Sequence, residues 1–123
     1  MAGELSPEIM TAIGETLPFK VFFSDSSDIV RYYNKADDKA YKASEVIGGM
    51  VQNCHPKEIR SKVDRVLDDL KSGREKVVEL WISREGHKWH IGYFAVRNEE
   101  GKYLGCLEVM QDVASAEHWS VPH

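Results

Sequence analysis

Cysteine is scarce in this chain: Cys54 and Cys106 are the only two in 123 residues. That is too few for a disulfide scaffold and too few for a structural zinc site built on thiolates. In a reducing compartment both read as free thiols. Long apolar runs are also missing. No stretch approaches the roughly 20 residues that cross a bilayer, and Met1-Ala2-Gly3-Glu4 has neither the basic start nor the apolar middle of a secretion signal. A cytoplasmic location away from membranes is the expectation. Nor is there an excess of basic charge: 16 Lys and Arg against 20 Asp and Glu leave a net charge of −4, which disfavours nonspecific binding to nucleic acid. Catalytic signatures are lacking too. There is no nucleophile elbow, no glycine loop of the kind that cradles phosphate and no carboxylate pair with an evident partner. The chain is therefore expected to be no enzyme.

What remains suits one folded domain. The hydrophobic share is 42%, with three Trp, five Tyr and four Phe to fill a core. Ser6-Pro7-Glu8 supplies an N-cap, a proline at the first helical position and an acid in the first turn. Ile9, Ile13 and Leu17 then make a narrow apolar stripe on a helix that Pro18 ends. Phe19 to Phe23 and Ile29 to Tyr33 read as a hairpin around Ser24-Asp25-Ser26-Ser27-Asp28. Asn34 to Ala43 suits short irregular helices anchored by Tyr41, and Ser44 to Ile47 is a brief helix closed by Gly48-Gly49. A longer helix starts near Pro56, spaces Ile59, Val63, Val66, Leu67 and Leu70 by three and four, and stops at Ser72-Gly73. Lys76 to Ser83, Lys88 to Arg97 and Tyr103 to Val113 read as three more strands. The order predicts an α+β domain, a five-stranded antiparallel sheet with a helical block on one face and an N-terminal helix.

These segments resemble the PAS sensor fold. The resemblance rests on Asp28-Ile29-Val30 through Tyr33-Asn34, Glu45-Val46-Ile47-Gly48, His55-Pro56, the helix to Ser72-Gly73, Arg84-Glu85-Gly86, Glu100-Gly101-Lys102 with Gly105, and Gln111-Asp112-Val113, in that order. Within the family, VQNCHP and YFAVRNEEGKYLGCLEVMQDV look most like the PAS module found beside hemerythrin-like domains in prokaryotic proteins. The boundaries expected are an N-terminal helix over 1–17, the PAS domain over 18–114 and a tail over 115–123. The chain ends without an output domain, as either a free-standing regulator or a fragment of a longer sensor.

The resemblance implies a sensory and interaction module with a pocket for haem, flavin, lipid, a small metabolite or nothing. Flavin photochemistry is disfavoured: Cys54 lies six positions after Gly48, His55-Pro56 follows it, and Leu107 stands where a glutamine would be wanted. Haem sensors of this type usually draw their ligand from the long helix, yet Lys57 to Ser72 holds no histidine. A haem-dependent gas or redox sensor is thus the alternative function, with His55, His90 or Cys54 as iron ligand. The simpler role for His55 is to cap and anchor the helix start. Cys54 is a redox candidate, because the positive end of the following helix would lower its pKa. His87 and His90 lie three apart on a strand and so on opposite faces, and no metal site is expected from them.

Strand alternation assigns the faces. Val30 and Tyr32, then Val78, Leu80 and Ile82, then Trp89, Ile91 and Tyr93, then Leu107 and Val109 are expected to face the helices. Glu79 with Val77 and Trp81, and Glu108 with Cys106 and Met110, are expected on the outer face, half covered by the N-terminal helix or by a second subunit. The ligand-lining candidates are Tyr32, Met50, Val51, Cys54, His55, Leu67, Leu80, Trp89, Tyr93 and Leu107. Their apolar character suits an apolar ligand. The outer face, with Trp81, Phe94 and Met110, is expected to meet the Ile9, Ile13 and Leu17 stripe, within the chain or in a homodimer. A separate signalling protein is a further expected partner.

Overall fold

In the computed structural model residues 3–35 and 42–113 are described. The segment around Tyr41 and the tail with His118 and His123 lie outside them. Helix α1 spans Pro7–Thr16, and the Ser6 side chain accepts the Ile9 amide as the cap its sequence announces. Strands β1 (Lys20–Asp25) and β2 (Val30–Tyr33) follow. Asp25 organises their turn, its carboxylate taking the amides of Ser27 and Ile29 and the guanidinium of Arg31 at 2.7–3.1 Å. Helix α2 (Ala43–Val46) leads to two tight 3₁₀ turns, Val51–Cys54 and Lys57–Ile59, and then to α3 (Arg60–Ser72).

The long helix thus becomes α-helical later than its sequence suggests. Pro56 is extended, with ψ 146°, and Ile59 sits at φ −113°, so regular helix begins only at Arg60. Its end falls where expected. Gly73 takes φ 83° and returns its amide to Leu70, while Arg97 reaches over from the sheet to the Leu70 and Lys71 carbonyls at 2.8 and 3.1 Å. Strands β3 (Val77–Arg84), β4 (His87–Arg97) and β5 (Tyr103–Asp112) complete the fold.

The sheet is antiparallel throughout, in the order β2-β1-β5-β4-β3. The first strand therefore pairs with the last, and the N-terminal hairpin extends the C-terminal meander. Two rows of directly opposed residues define the faces. Tyr33, Phe22, Glu108, Tyr93 and Val78 form one row across all five strands; Tyr32, Phe23, Leu107, Phe94 and Val77 form the next. The first row lies under the helices: Phe22, Tyr33 and Tyr93 are core, with the rings of Phe22 and Tyr33 stacked at 4.3 Å. Val63, Val66, Leu67 and Leu70 of α3 close over it and belong to the same core.

This register corrects the expectation for β5. Cys106, Glu108 and Met110 face the helices, and Leu107 and Val109 face outward. Tyr32 also changes sides, because a bulge between Phe23 and Ser24 shifts the pairing within the hairpin and sends Val30 and Tyr33 inward. The outward assignment of Val77, Glu79, Trp81 and Phe94 agrees with the pairing.

Helix α1 is attached by polar groups, not by its apolar stripe. It has no buried residue, and Ile9 and Ile13 remain 49% and 48% exposed. At its C-terminal end Asn34, itself 1% exposed, donates to the carbonyls of Gly14 (2.8 Å) and Phe19 (2.9 Å) and accepts the Val21 amide (2.7 Å). Lys35 donates to the carbonyls of Glu15 and Leu17, and the Tyr32 hydroxyl occupies the space a side chain at Gly14 would need. Asn34→Ala removes three bonds and leaves buried partners unpaired, so it should cost about 3 kcal/mol. Urea unfolding measures that loss, and amide exchange in α1 should accelerate well beyond exchange in α3.

Candidate functional site

One end of the sheet does not close. There the start of β1, the β3–β4 turn and the end of β5 diverge from the turn between the two 3₁₀ segments, leaving a cleft of about 720 Å³. Ile59 and Pro56 form its helical wall, and Ile82, Trp89, Ile91 and Met110 its sheet wall. Lys20, Asn53, Ser83, Glu85 and His87 stand around it, and Cys54 and His55 complete the lining.

His55 is the buried polar group of this site. It is 9% exposed, and Glu108 and Tyr93 beside it are 4% and 1% exposed. Neighbouring strands place Glu108 and Tyr93 directly opposite one another, and the 3₁₀ turn brings the imidazole onto the pair. Nε2 lies 3.2 Å from Glu108 Oε2 and 3.2 Å from the Tyr93 hydroxyl; Nδ1 lies 3.1 Å from the Val51 carbonyl. A carbonyl only accepts, so Nδ1 carries a proton, and a carboxylate opposite Nε2 asks for a second. Burial alone would push the imidazole down, but the hydrogen bond and charge of Glu108, with the Val51 carbonyl, outweigh it and hold the pKa above its ordinary value. His55 thus makes a buried hydrogen-bonded pair with Glu108 that favours its protonated form, and the Arg60 guanidinium donates to its carbonyl at 3.1 Å.

The lowering of the Cys54 pKa expected from the helix end is reversed. Burial, and then the Glu108 charge, push its thiol up to about 11, opposite to the lowering expected from the helix end. Cys106, behind it in the core, is pushed up to about 12 by burial. Both are neutral thiols.

Of the candidates drawn from the sequence, Cys54, His55 and Trp89 line the cleft. Val51, Leu67 and Tyr93 belong to the packed core, and Leu80 packs partly buried against it. Met50 is 39% exposed and bridges to the Ile29 backbone. Tyr32 and Leu107 lie on the other face of the sheet. Sequence reasoning missed Glu108, assigned to the outer face, and Lys20, whose place in the lining follows from the inward register of Phe22 two residues on. An acid at the centre of an apolar strand, with a histidine available elsewhere, was the signal for the buried pair.

The structure lends no support to the three iron ligands expected from the sequence. Both nitrogens of His55 are engaged within the protein, Cys54 is a neutral thiol, and His90 is on the outer face beside Trp81, 3.2 Å from Glu79. No group of three or more His, Cys, Asp or Glu among the described residues is placed to hold a metal ion.

The family model described as PAS domain matches residues 10–114, and the chain belongs to that family of sensory modules. A C-terminal domain from Streptococcus mutans is similar at 31% identity and TM-score 0.81, over 98% of this chain and 94% of that one. A sensory box sensor histidine kinase from Vibrio cholerae shares the fold at 10% identity and TM-score 0.63, over 85% of this chain and 89% of that one. The Aer2 receptor from Vibrio cholerae, described as a dual PAS-heme oxygen sensor, shares it at 15% identity and TM-score 0.54, over 83% and 98%. No curated protein matches. No helix among the described residues is long and apolar enough to cross a membrane.

Because the folded pKa of His55 lies above its unfolded value, near 6.5, the pair's contribution to stability is complete below that value and lost as pH rises through the folded pKa. Urea unfolding between pH 5.5 and 8 should therefore show stability falling as pH rises, and Glu108→Gln should flatten that slope. His55→Ala, which leaves the carboxylate buried alone, should cost about 3 kcal/mol.

Proposed function

We propose that the chain is a non-catalytic sensory and interaction module that takes a small apolar ligand in the cleft at His55 and signals through association. One observation carries this: a roomy cleft with apolar walls opens onto the joint of the helical block, where a buried ion pair links that block to the central strand. A ligand seated between Ile59 and Trp89 would touch both sides of the joint. We place the chain with the PAS modules found beside hemerythrin-like domains, with 1–17 as its N-terminal helical segment, 18–114 as the sensory domain and 115–123 as a tail. Its setting is taken as cytoplasmic.

Association would use the face opposite the cleft. Leu5, Ile9, Met10 and Ile13 on and beside α1 are 48–59% exposed, and Trp81 and Val77 on the outer sheet face are 59% and 44% exposed. A second copy covering these residues makes the chain a homodimer, and a separate signalling protein competing for the same face would read it out. The haem reading draws no support from the donor atoms, and a visible spectrum of the purified protein should lack a Soret band.

Two measurements test the proposal. The neutral apolar probe N-phenyl-1-naphthylamine should bind the full chain, and Ile59→Asp should weaken that binding at least about tenfold with the circular dichroism unchanged. Unchanged binding would place the ligand elsewhere. Light scattering should return a dimer mass that Ile9→Asp with Ile13→Asp converts to a monomer, and a monomeric wild type would remove the association mode.

A further inference from the structure

We infer that the open edge of β3 takes up an extended segment of another protein as an added strand, and that this segment sets a basic residue opposite Glu79. The edge is a different surface from the outer face proposed to join two copies, and its use does not depend on what the cleft binds. The fold treats the two edges of its sheet differently. At β2 the chain returns to cover its own edge: Val30 donates to the Gly49 carbonyl at 2.9 Å and accepts the Gly48 amide at 2.8 Å, and Ile29 bridges to Met50. At β3, the other end of the strand order, no described residue pairs with the open side. β3 also lacks the devices that blunt an edge. It runs for 8 residues, pairs with β4 without a bulge and contains no proline.

The hydrogen-bonding phase of the strand tells which groups are open. Lys76, one step before the Val77–Phe94 pair, accepts the Ala95 amide at 3.0 Å. Bonds to β4 therefore fall at Val78, Leu80 and Ile82, and the amides and carbonyls of Val77, Glu79, Trp81 and Ser83 point away from the sheet. Another extended backbone matches such a row of alternating donors and acceptors. Side chains set the rest. Val78, Leu80 and Ile82 are only half-buried on the inner face, and an added strand would cover them with apolar residues of its own. On the outer face Trp81 is 59% exposed yet held in place, with the His90 ring 4.5 Å away and the Lys88 ammonium 5.4 Å over it. The Glu79 side chain is 60% exposed, and Oε1 lies 3.2 Å from His90. A strand laid alongside displaces water from this carboxylate, which then asks for a cation opposite.

A second copy of β3 does not supply one. With the open groups in phase, two antiparallel β3 strands set Glu79 opposite Val77, Glu79, Trp81 or Ser83 of the copy, and none of these is basic. The occupant that fits is a segment of a different protein, antiparallel to β3. It carries an aromatic or branched apolar residue opposite Trp81, an apolar residue opposite Leu80 and Lys or Arg opposite Glu79.

The test adds the acetylated and amidated peptide Ser-Thr-Val-Tyr-Val-Lys-Val-Thr-Ser to the full chain; laid antiparallel, its tyrosine meets Trp81 and its lysine Glu79. In nitrogen-15 spectra the amides of Val77, Glu79, Trp81 and Ser83 should shift saturably, and their exchange with solvent should slow. Methylating the peptide nitrogens of the tyrosine and the lysine, which face β3, should weaken binding at least about tenfold. Methylating the valine between them, whose amide points away, should leave it unchanged. Changing the peptide lysine to glutamate, or Glu79→Lys in the chain, should each weaken binding about fivefold, and the two together should restore it. An unchanged spectrum of the unliganded variant shows that the fold is kept. No saturable shift at the open amides, or equal loss from either methylation, would overturn the inference. Charge exchange without effect would overturn the basic residue. Slow exchange at these amides before peptide is added, growing with protein concentration, would mean that a copy of this chain already holds the edge and would overturn the choice of a different protein. None of these outcomes alters naphthylamine binding or the Ile9 and Ile13 test, so the cleft and the outer face are judged separately.

Discussion

His55 and Glu108 are 53 positions apart in sequence and 3.2 Å apart in space. Burying either charge alone costs several kcal/mol, so each is tolerable only while the other is in place. The geometry of the domain near the cleft follows from that dependence. Glu108 must point at the helices, which fixes the register of β5 and sends Cys106 and Met110 inward with it. A slip of one residue would set Leu107 against the imidazole and strand the carboxylate on the outer face. Because β5 lies between β1 and β4, its register sets that of the sheet centre.

The pair also fixes the helical block. His55 is held on three sides, its amide by Gln52, its Nδ1 by the Val51 carbonyl and its own carbonyl by Arg60. Pro56 follows in an extended conformation, so the chain leaves the imidazole and turns into α3 through a second 3₁₀ segment. The cleft lies beside this joint. A molecule entering it would press on a place where the helical block and the central strand are joined by a buried charged pair. The apolar core behind, with Val63, Leu67, Leu70 and Tyr93 at most 1% exposed, gives a rigid support against which such a change acts.

Much of this was legible in the residues. Helix caps, turn clusters and apolar spacing located α1, α3 and all five strands, since those signals are local. Val78, Leu80, Ile82, Trp89, Ile91 and Tyr93 alternate cleanly, and their pairing agrees with that alternation. The failures came where alternation met a charged residue. Alternate residues of β5 are apolar enough for either face, and a lone carboxylate reads as belonging to the outer one; only the distant His55 reverses the choice. Tyr32 failed for another non-local reason, the bulge at Phe23 and Ser24. For Cys54 the helix end suggested an acidic thiol, but burial and the nearby carboxylate dominate. The attachment of α1 through Asn34 was hidden in the same way, since no pattern in sequence reveals three bonds made by one amide.

The central claim is that His55 is charged and bonded to Glu108 inside the folded domain. Nitrogen-15 spectra of the imidazole, followed through a pH titration, test it most directly. Both ring nitrogens should remain protonated at pH values where a free imidazole has lost its proton, and the resonance should move to that of an ordinary neutral histidine in Glu108→Gln. An imidazole in the wild type that titrates at or below its ordinary value would contradict the account.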